Sequence, residues 1–214
     1  MSQYKIDPEP GIVHFLTLTV IKWLDIFTKP EYFQIITDSL KYCRQYKGLL
    51  IQAYVIMTNH LHLMVSARES VARDYKSLAT DYKSLATVGD KTLEGICNPE
   101  QSFQNIPILS AIIRDFKKYT AKKIYQQLKK DNRHYLSRIL RIYKSDKNKD
   151  FQLWQHDNHA ITIESEKFFD QKINYIHNNP VEKQYVEKPE DWLYSSARNY
   201  FLDDNSIMEI DVLE

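Results

Sequence analysis

Residues 49–66, LLIQAYVIMTNHLHLMVS, leave the chain little freedom in its local fold. Two apolar runs, LLIQAYVIM and HLHLMVS, flank Thr58 and Asn59, which read as a tight turn between two strands. Upstream, GIVHFLTLTV (11–20) alternates and is rich in β-branched residues, so it reads as an earlier strand. Pro30 suits the first turn of a helix whose apolar stripe is Phe33, Ile36, Leu40 and Cys43, with Gly48 placed to end it. Strand, helix, strand, strand is the opening of a βαββαβ unit. The expected fold class is therefore α+β, ferredoxin-like, with an antiparallel sheet.

The rhythm then breaks. DYKSLAT occurs twice in tandem, at 74–80 and 81–87, within a stretch (67–107) too long for an ordinary connection. It reads as a mobile insertion without chemistry. The strongest helix follows, ILSAIIRDFKKYTAKKIYQQLKK (108–130), with Leu109, Ile112, Ile113, Phe116, Ile124 and Leu128 as its buried stripe. FQLWQHDNHAITI (151–163) reads as strand and loop, and SEKFFDQKINYIH (165–177) as a helix capped by Ser165 and stopped at Asn-Asn-Pro. This organisation suggests a catalytic domain over 1–150, carrying the insertion, and an extension over 151–214 packed on the same domain.

A formal net charge of +1 conceals an uneven distribution. Between Leu109 and Lys130, seven basic residues face only Asp115, whereas residues 161–214 hold twelve acidic and five basic residues. A basic middle with an acidic tail suggests a polyanion-binding surface, although a solvated lysine-rich face gives the same pattern. No apolar run is long enough to span a bilayer. The N-terminal MSQYKIDPEP lacks a secretory pattern, and Cys43 and Cys97 fit neither a disulfide framework nor a CxxC zinc site. A cytoplasmic setting is expected.

His60 and His62 hold the chemical interest. In a strand, residues i and i+2 project to one face, so both imidazoles point together while Leu61 and Leu63 point into the core. Two imidazoles so placed can converge on one divalent cation. Two strand histidines with no such role remain the alternative.

With Asn59 before the pair and an aliphatic run after it, this string resembles the HUH motif of single-tyrosine transposases, in particular the REP-associated tyrosine transposases. RDFKKYTAKKI, WQHDNHAI and YIHNNPVEKQYVEKPEDWLYSSARNY resemble the same family in the same order. The resemblance implies an HUH-nuclease core and DNA cleavage and rejoining by a tyrosine nucleophile on a helix after the HUH strand. It implies a 5′-phosphotyrosine intermediate, and His60 and His62 as ligands of Mg²⁺ or Mn²⁺. The matching tyrosine is taken as Tyr119. Relatives often carry an amide ligand one helical turn beyond it. Here that position is Lys123, which cannot ligate, leaving Gln126, Gln127, Asp115 or water, with Gln126 the choice made.

Arg114, Lys117, Lys118, Lys122 and Lys123 are expected to contact phosphate. The substrate implied is single-stranded or hairpin DNA, its bases stacking on aromatics such as Trp154 or Tyr125. The chain would act as a monomer or homodimer. His14 reads as a core histidine. His156 and His159 either help to bind DNA or shape their loop, and Trp192 reads as a core plug. Two rivals stay open: a non-catalytic DNA-binding module of the same fold, and an unrelated H-x-H metal hydrolase.

Overall fold

The computed structural model describes residues 6, 9, 11–68, 108–145, 150–156 and 159–211. The tandem DYKSLAT repeats, Cys97, Asp157, Asn158 and all but the first two residues of the 67–107 insertion lie outside them. In chain order the elements are β1 (His14–Thr19), α1 (Pro30–Tyr46), β2 (Leu49–Ile56), β3 (His60–Ala67), α2 (Ile108–Lys130), α3 (His134–Ile142), β4 (Ile161–Thr162), α4 (Glu166–Glu182) and α5 (Ala197–Leu202). Short 3₁₀ turns lie at Ile21–Trp23 and Pro189–Asp191. The four strands form one sheet in the order β2-β3-β1-β4, and every neighbouring pair is antiparallel. Gly48, at φ 69, ends α1 in the left-handed region, where a side chain would clash.

Every residue of β3 is buried, so both faces of the sheet are covered. Residues paired across an antiparallel ladder point to the same face. Leu16 pairs with Leu63 and Leu18 with Leu61. These four join one core with Ile36 and Leu40 of α1 and Ile112, Ile113, Phe116, Ile124 and Leu128 of α2. The opposite face carries Val13, Phe15, Ala53, Val55, Met57 and Met64. It is covered by Ile176 of α4, with Phe169 and Ile173 partly buried beside it. Thus α1 and α2 occupy one side of the sheet and α4 the other.

Residues 151–211 are woven into this body. They supply β4 and α4, and their last stretch lies along the outer edge of β2. Ser196 N donates to the Tyr54 carbonyl (2.9 Å), Ile56 N to that of Tyr194 (2.9 Å) and Asp211 N to that of Ile51 (2.7 Å). An edge strand paired in this way offers fewer free backbone groups to a foreign chain.

The helix expected to stop at Asn-Asn-Pro continues for another turn. Pro180 sits buried inside α4 and forfeits only the bond its missing N–H would have given to Ile176. The final turn is closed by Lys183 N donating to the Asn179 carbonyl (3.1 Å). Asn179 is thereby kept in helical register.

Asp115, considered above as a metal ligand, is spent elsewhere. Its Oδ2 accepts from Nζ of Lys47 at 2.8 Å, and the Lys47 side chain is only 2% exposed. Removing the carboxylate strands a buried ammonium. Asp115→Ala should lower stability by about 3 kcal/mol in urea titrations.

Candidate metal and nucleophile site

His60 and His62 lie on the face of β3 that α4 covers, because they share parity with Met64 and not with Leu61 and Leu63. Both are almost fully buried, and their ring centroids are 4.8 Å apart at 74°. Burial pushes the His60 imidazolium down to about 4, aided by the Lys183 ammonium, while Asn179 and Asp25 act weakly in the other direction. His62 falls to about 3, first through burial and then through the positive charge of His60 and Lys172. Both rings are therefore neutral at pH 7, the form that ligates metals.

The hydrogen-bond network fixes which nitrogen of His60 is free. Asp25 Oδ1 can only accept, so the group that Asn59 presents to it at 2.9 Å is the amide NH₂. That orientation turns Asn59 Oδ1 towards His60 Nδ1 at 2.7 Å, and the imidazole must donate there. The Nε2 lone pair of His60 then faces the site. In His62, Nδ1 lies 2.9 Å from Thr17 Oγ1, and Nε2 is buried with no hydrogen-bond partner. Breaking this chain of orientation at its far end tests it. Asp25→Ala frees the Asn59 amide to flip and should weaken Mn²⁺ affinity about 10-fold or more by calorimetry.

Helix α4 brings the remaining groups. Phe168, Lys172, Tyr175 and Asn179 recur at spacings of four, three and four residues, so they form one stripe. The neighbouring stripe, Phe169, Ile173, Ile176 and Pro180, packs on the sheet and sets the rotation of the helix. Tyr175 meets the His62 ring edge-on, with centroids 5.1 Å apart, and also touches Phe15 at 5.8 Å. Asn179 is close enough to influence both His60 and the Tyr175 phenol. Its Oδ1 is buried and unpartnered. Burial and the Glu182 carboxylate raise the phenol above its usual value, against a smaller opposite effect from Asn179. The Lys172 ammonium lies 4.7 Å from the Phe15 ring centre and 5.7 Å from that of Tyr175.

These atoms fit a divalent cation. His62 Nε2 and Asn179 Oδ1 are orphaned buried polar atoms, and such groups are costly unless something satisfies them. Among the described residues no three His, Cys, Asp or Glu side chains cluster, so an amide is the third donor at hand. Two imidazoles and an amide oxygen form a borderline-to-hard set that suits Mn²⁺ or Mg²⁺ with water completing the shell.

The structure does not bring Tyr119, Gln126 or the α2 cations to the histidines. Helix α2 packs on the Leu61–Leu63 face, so the sheet stands between them. Tyr119 instead has the Lys123 ammonium 5.6 Å from its ring centre, and Gln126 is exposed. Lys117 donates to the Gln155 carbonyl at 2.7 Å, and Arg114 leans on Asp115 at 3.3 Å. Lys118 and Lys122 are exposed on that far layer.

Trp154 is buried, its Nε1 donating to Thr120 Oγ1 at 3.0 Å, and Tyr125 stacks flat on Phe151 at 3.9 Å. Neither is open to a base. His14 is fully buried in β1, as expected of a core histidine. His156 bonds Ser145, which fits a loop-shaping role.

Tyr175 and Asn179, which the sequence reading does not single out, carry a readable signal: a tyrosine with an amide four residues later on one helix. The pair was hidden because Asn-Asn-Pro reads as a helix stop.

The fold and site define a mixed α/β protein whose four-stranded antiparallel sheet carries a two-histidine, one-amide cluster beneath a helix-borne tyrosine. No family model matches the sequence, and no curated protein matches it. Among solved structures, a REP-associated tyrosine transposase bound to a REP hairpin is similar over the whole of this chain and 94% of that one, with a TM-score of 0.50 and 16% identity. At that identity the likeness is one of fold. Among the described residues, no helix is long and apolar enough to cross a membrane.

Proposed function

We propose that the chain is a metal-dependent endonuclease and strand transferase acting on single-stranded or hairpin DNA, with Tyr175 as nucleophile. The observation that carries this reading is the convergence of Tyr175 and Asn179 on His60 and His62, with His62 Nε2 and Asn179 Oδ1 buried and unpartnered. The sheet order and polarity, with α1 and α2 together on one face, support reading the core as ferredoxin-like. The fold likeness to a transposase solved with a DNA hairpin supports the substrate class.

A divalent cation held by His60, His62 and Asn179 would supply Lewis acidity to a non-bridging oxygen of the scissile phosphate. Within the chain, Tyr175 Oη attacks phosphorus and loses its proton to solvent as the Oη–P bond forms. The bond from phosphorus to the 3′ oxygen breaks and that oxygen takes a proton from solvent, leaving a 5′-phosphotyrosine and a free 3′-OH. Attack by that hydroxyl, or by another, reverses the step and joins strands without further energy input. Lys183 beside His60 and Lys172 beside His62 would supply positive charge to a phosphate held there. The Asp25–Asn59 pair holds His60 in its ligating tautomer.

Nucleophile and histidines belong to one chain, so a monomer suffices for cleavage. Lys123, which argued against a third protein ligand beside Tyr119, no longer bears on the question. The exposed Lys118 and Lys122 would hold DNA outside the reacting segment. The test is a covalent protein–DNA adduct on a denaturing gel, formed with hairpin DNA bearing a single-stranded arm and dependent on Mn²⁺ or Mg²⁺. Salt-sensitive binding with no adduct under any cation would sink the reading.

A further inference from the structure

Three tryptophans are present, and they are used differently. Trp154 is a core side chain, and Trp192 stacks on Tyr185 while its Nε1 donates to the Ile56 carbonyl at 3.0 Å. Trp23 is 58% exposed. A single exposed indole is ordinary on a protein surface, so its backbone and its neighbours decide what it does.

The backbone makes an effort to hold it there. Lys22 and Trp23, neither of them glycine, both occupy the left-handed region at φ 56 and φ 53. Such conformations persist only where surrounding structure enforces them, and they gather at functional sites. Here the enforcement is visible. Trp23 N donates to the Val20 carbonyl at 3.1 Å and Leu24 N to that of Ile21 at 3.3 Å. Asn59 Nδ2 lies 3.4 Å from the Trp23 carbonyl while its Oδ1 accepts from His60. One asparagine thus ties the tryptophan turn to the candidate metal ligand. The Trp23 ring lies edge-to-face against His60, with centroids 5.6 Å apart.

Beyond Trp23 the surface stays suited to a strand. The Lys22 ammonium lies 4.8 Å from the ring centre of Tyr143, itself 52% exposed. Lys22 and Tyr143 line an open cleft of about 320 Å³ with Gln152, Gln155 and His156. Exposed aromatic faces interleaved with cations form the recurrent platform for single-stranded nucleic acid, because every base has a π face and every nucleotide a phosphate.

We infer that Trp23 is a base-stacking platform for a nucleotide next to the scissile phosphate, and that Lys22 and the cleft beside Tyr143 take the strand onward. This rests on the proposed function, and it adds a positioning residue that neither the histidine pair nor α4 supplies. Stacking there fixes the strand one nucleotide from the reaction, so it sets which phosphate reaches Tyr175. It discriminates weakly among sequences.

The test uses the full chain with short oligothymidylate, oligoadenylate and a hairpin with a single-stranded arm. Trp23→Ala should weaken binding roughly 5- to 100-fold, the range for removing one aromatic beneath one base. Trp23→Phe should restore most of that loss. The salt dependence should not change, because an indole neutralises no phosphate. 2-Aminopurine placed beside the cleavage position should be quenched in the wild-type complex and bright in Trp23→Ala. Melting temperatures within a degree or two of wild type would show that both variants fold.

Equal binding by wild type and Trp23→Ala overturns the stacking role. If Tyr175→Phe still loses the adduct in that case, the enzymatic reading stands without it. Trp23→Phe as weak as Trp23→Ala also overturns stacking, since a phenyl face would then have no value there. Absence of oligonucleotide binding by the wild type removes both readings together.

Discussion

Tyr175→Phe should abolish the covalent adduct with hairpin DNA, by at least about a thousandfold, while Tyr119→Phe leaves it near the wild-type level. The contrast follows from the two faces of one sheet. Tyr175 lies against His62 with ring centroids 5.1 Å apart, whereas Tyr119 is carried by the helix packed on the Leu61–Leu63 side. Removing only the phenolic oxygen keeps the ring that fills the space between Phe15 and His62, so the fold and DNA affinity should stay close to normal. Loss of DNA binding together with the adduct would indicate a structural role for Tyr175. Survival of the adduct in Tyr175→Phe would remove it as nucleophile.

The first half of the chain was legible because its signals are local. Alternation in 11–20 and 49–66, a proline at a helix start and a glycine at its end predict β1, α1, β2 and β3 to within a few residues. The periodicity of 108–130 predicts α2 over its full length. The histidine pair was legible for the same reason, since strand parity alone puts His60 and His62 on one face.

The expectation that the basic helix after the pair supplies the tyrosine runs against the packing, which puts α2 on the other face of the sheet from the histidines. The sequence already argued against it. If Leu61 and Leu63 face the main core, the helix with the longest apolar stripe must pack on their side, and the histidines must face something else. That something is α4, whose usable tyrosine has an amide one turn on. It escaped notice because the residue before a proline is disfavoured in a helix, a local rule that burial of Pro180 against the sheet overrides. The short helix α5 and the two-residue β4 are too brief to carry a periodic signal, whereas α3, HYLSRILRI, is amphipathic and could be read.

Acid should unfold this protein well above the carboxylate range, and the histidines are the reason. His60 and His177 are pushed down to about 4 and His62 to about 3, each chiefly by burial. An unfolded imidazole titrates near 6.5, so between about pH 6.5 and 4 the unfolded chain binds more protons than the folded one. Stability is then complete above pH 6.5 and falls as the pH falls. At pH 5 the loss is roughly 2 kcal/mol per imidazole, or about 6 kcal/mol for three, comparable with the whole stability of many domains. The carboxyl of Asp204, held down to about 2 by Ser206 and Arg198, enters only below this window.

Urea midpoints from pH 7.5 to 4.5 should therefore drop steeply, and a flat profile would show that the three rings are not buried in solution. His177 separates fold from site, because it bonds Ser196 Oγ at 2.9 Å and packs on Tyr200, apart from the histidine pair. His177→Gln should remove about a third of the pH dependence. Mn²⁺ at a hundred times its dissociation constant should add about 2.7 kcal/mol at neutral pH, and this increment should hold down to about pH 5, because both rings are still neutral in the folded chain there. The increment should persist in His177→Gln and be lost in His62→Gln, which removes the orphaned Nε2 proposed to hold the cation.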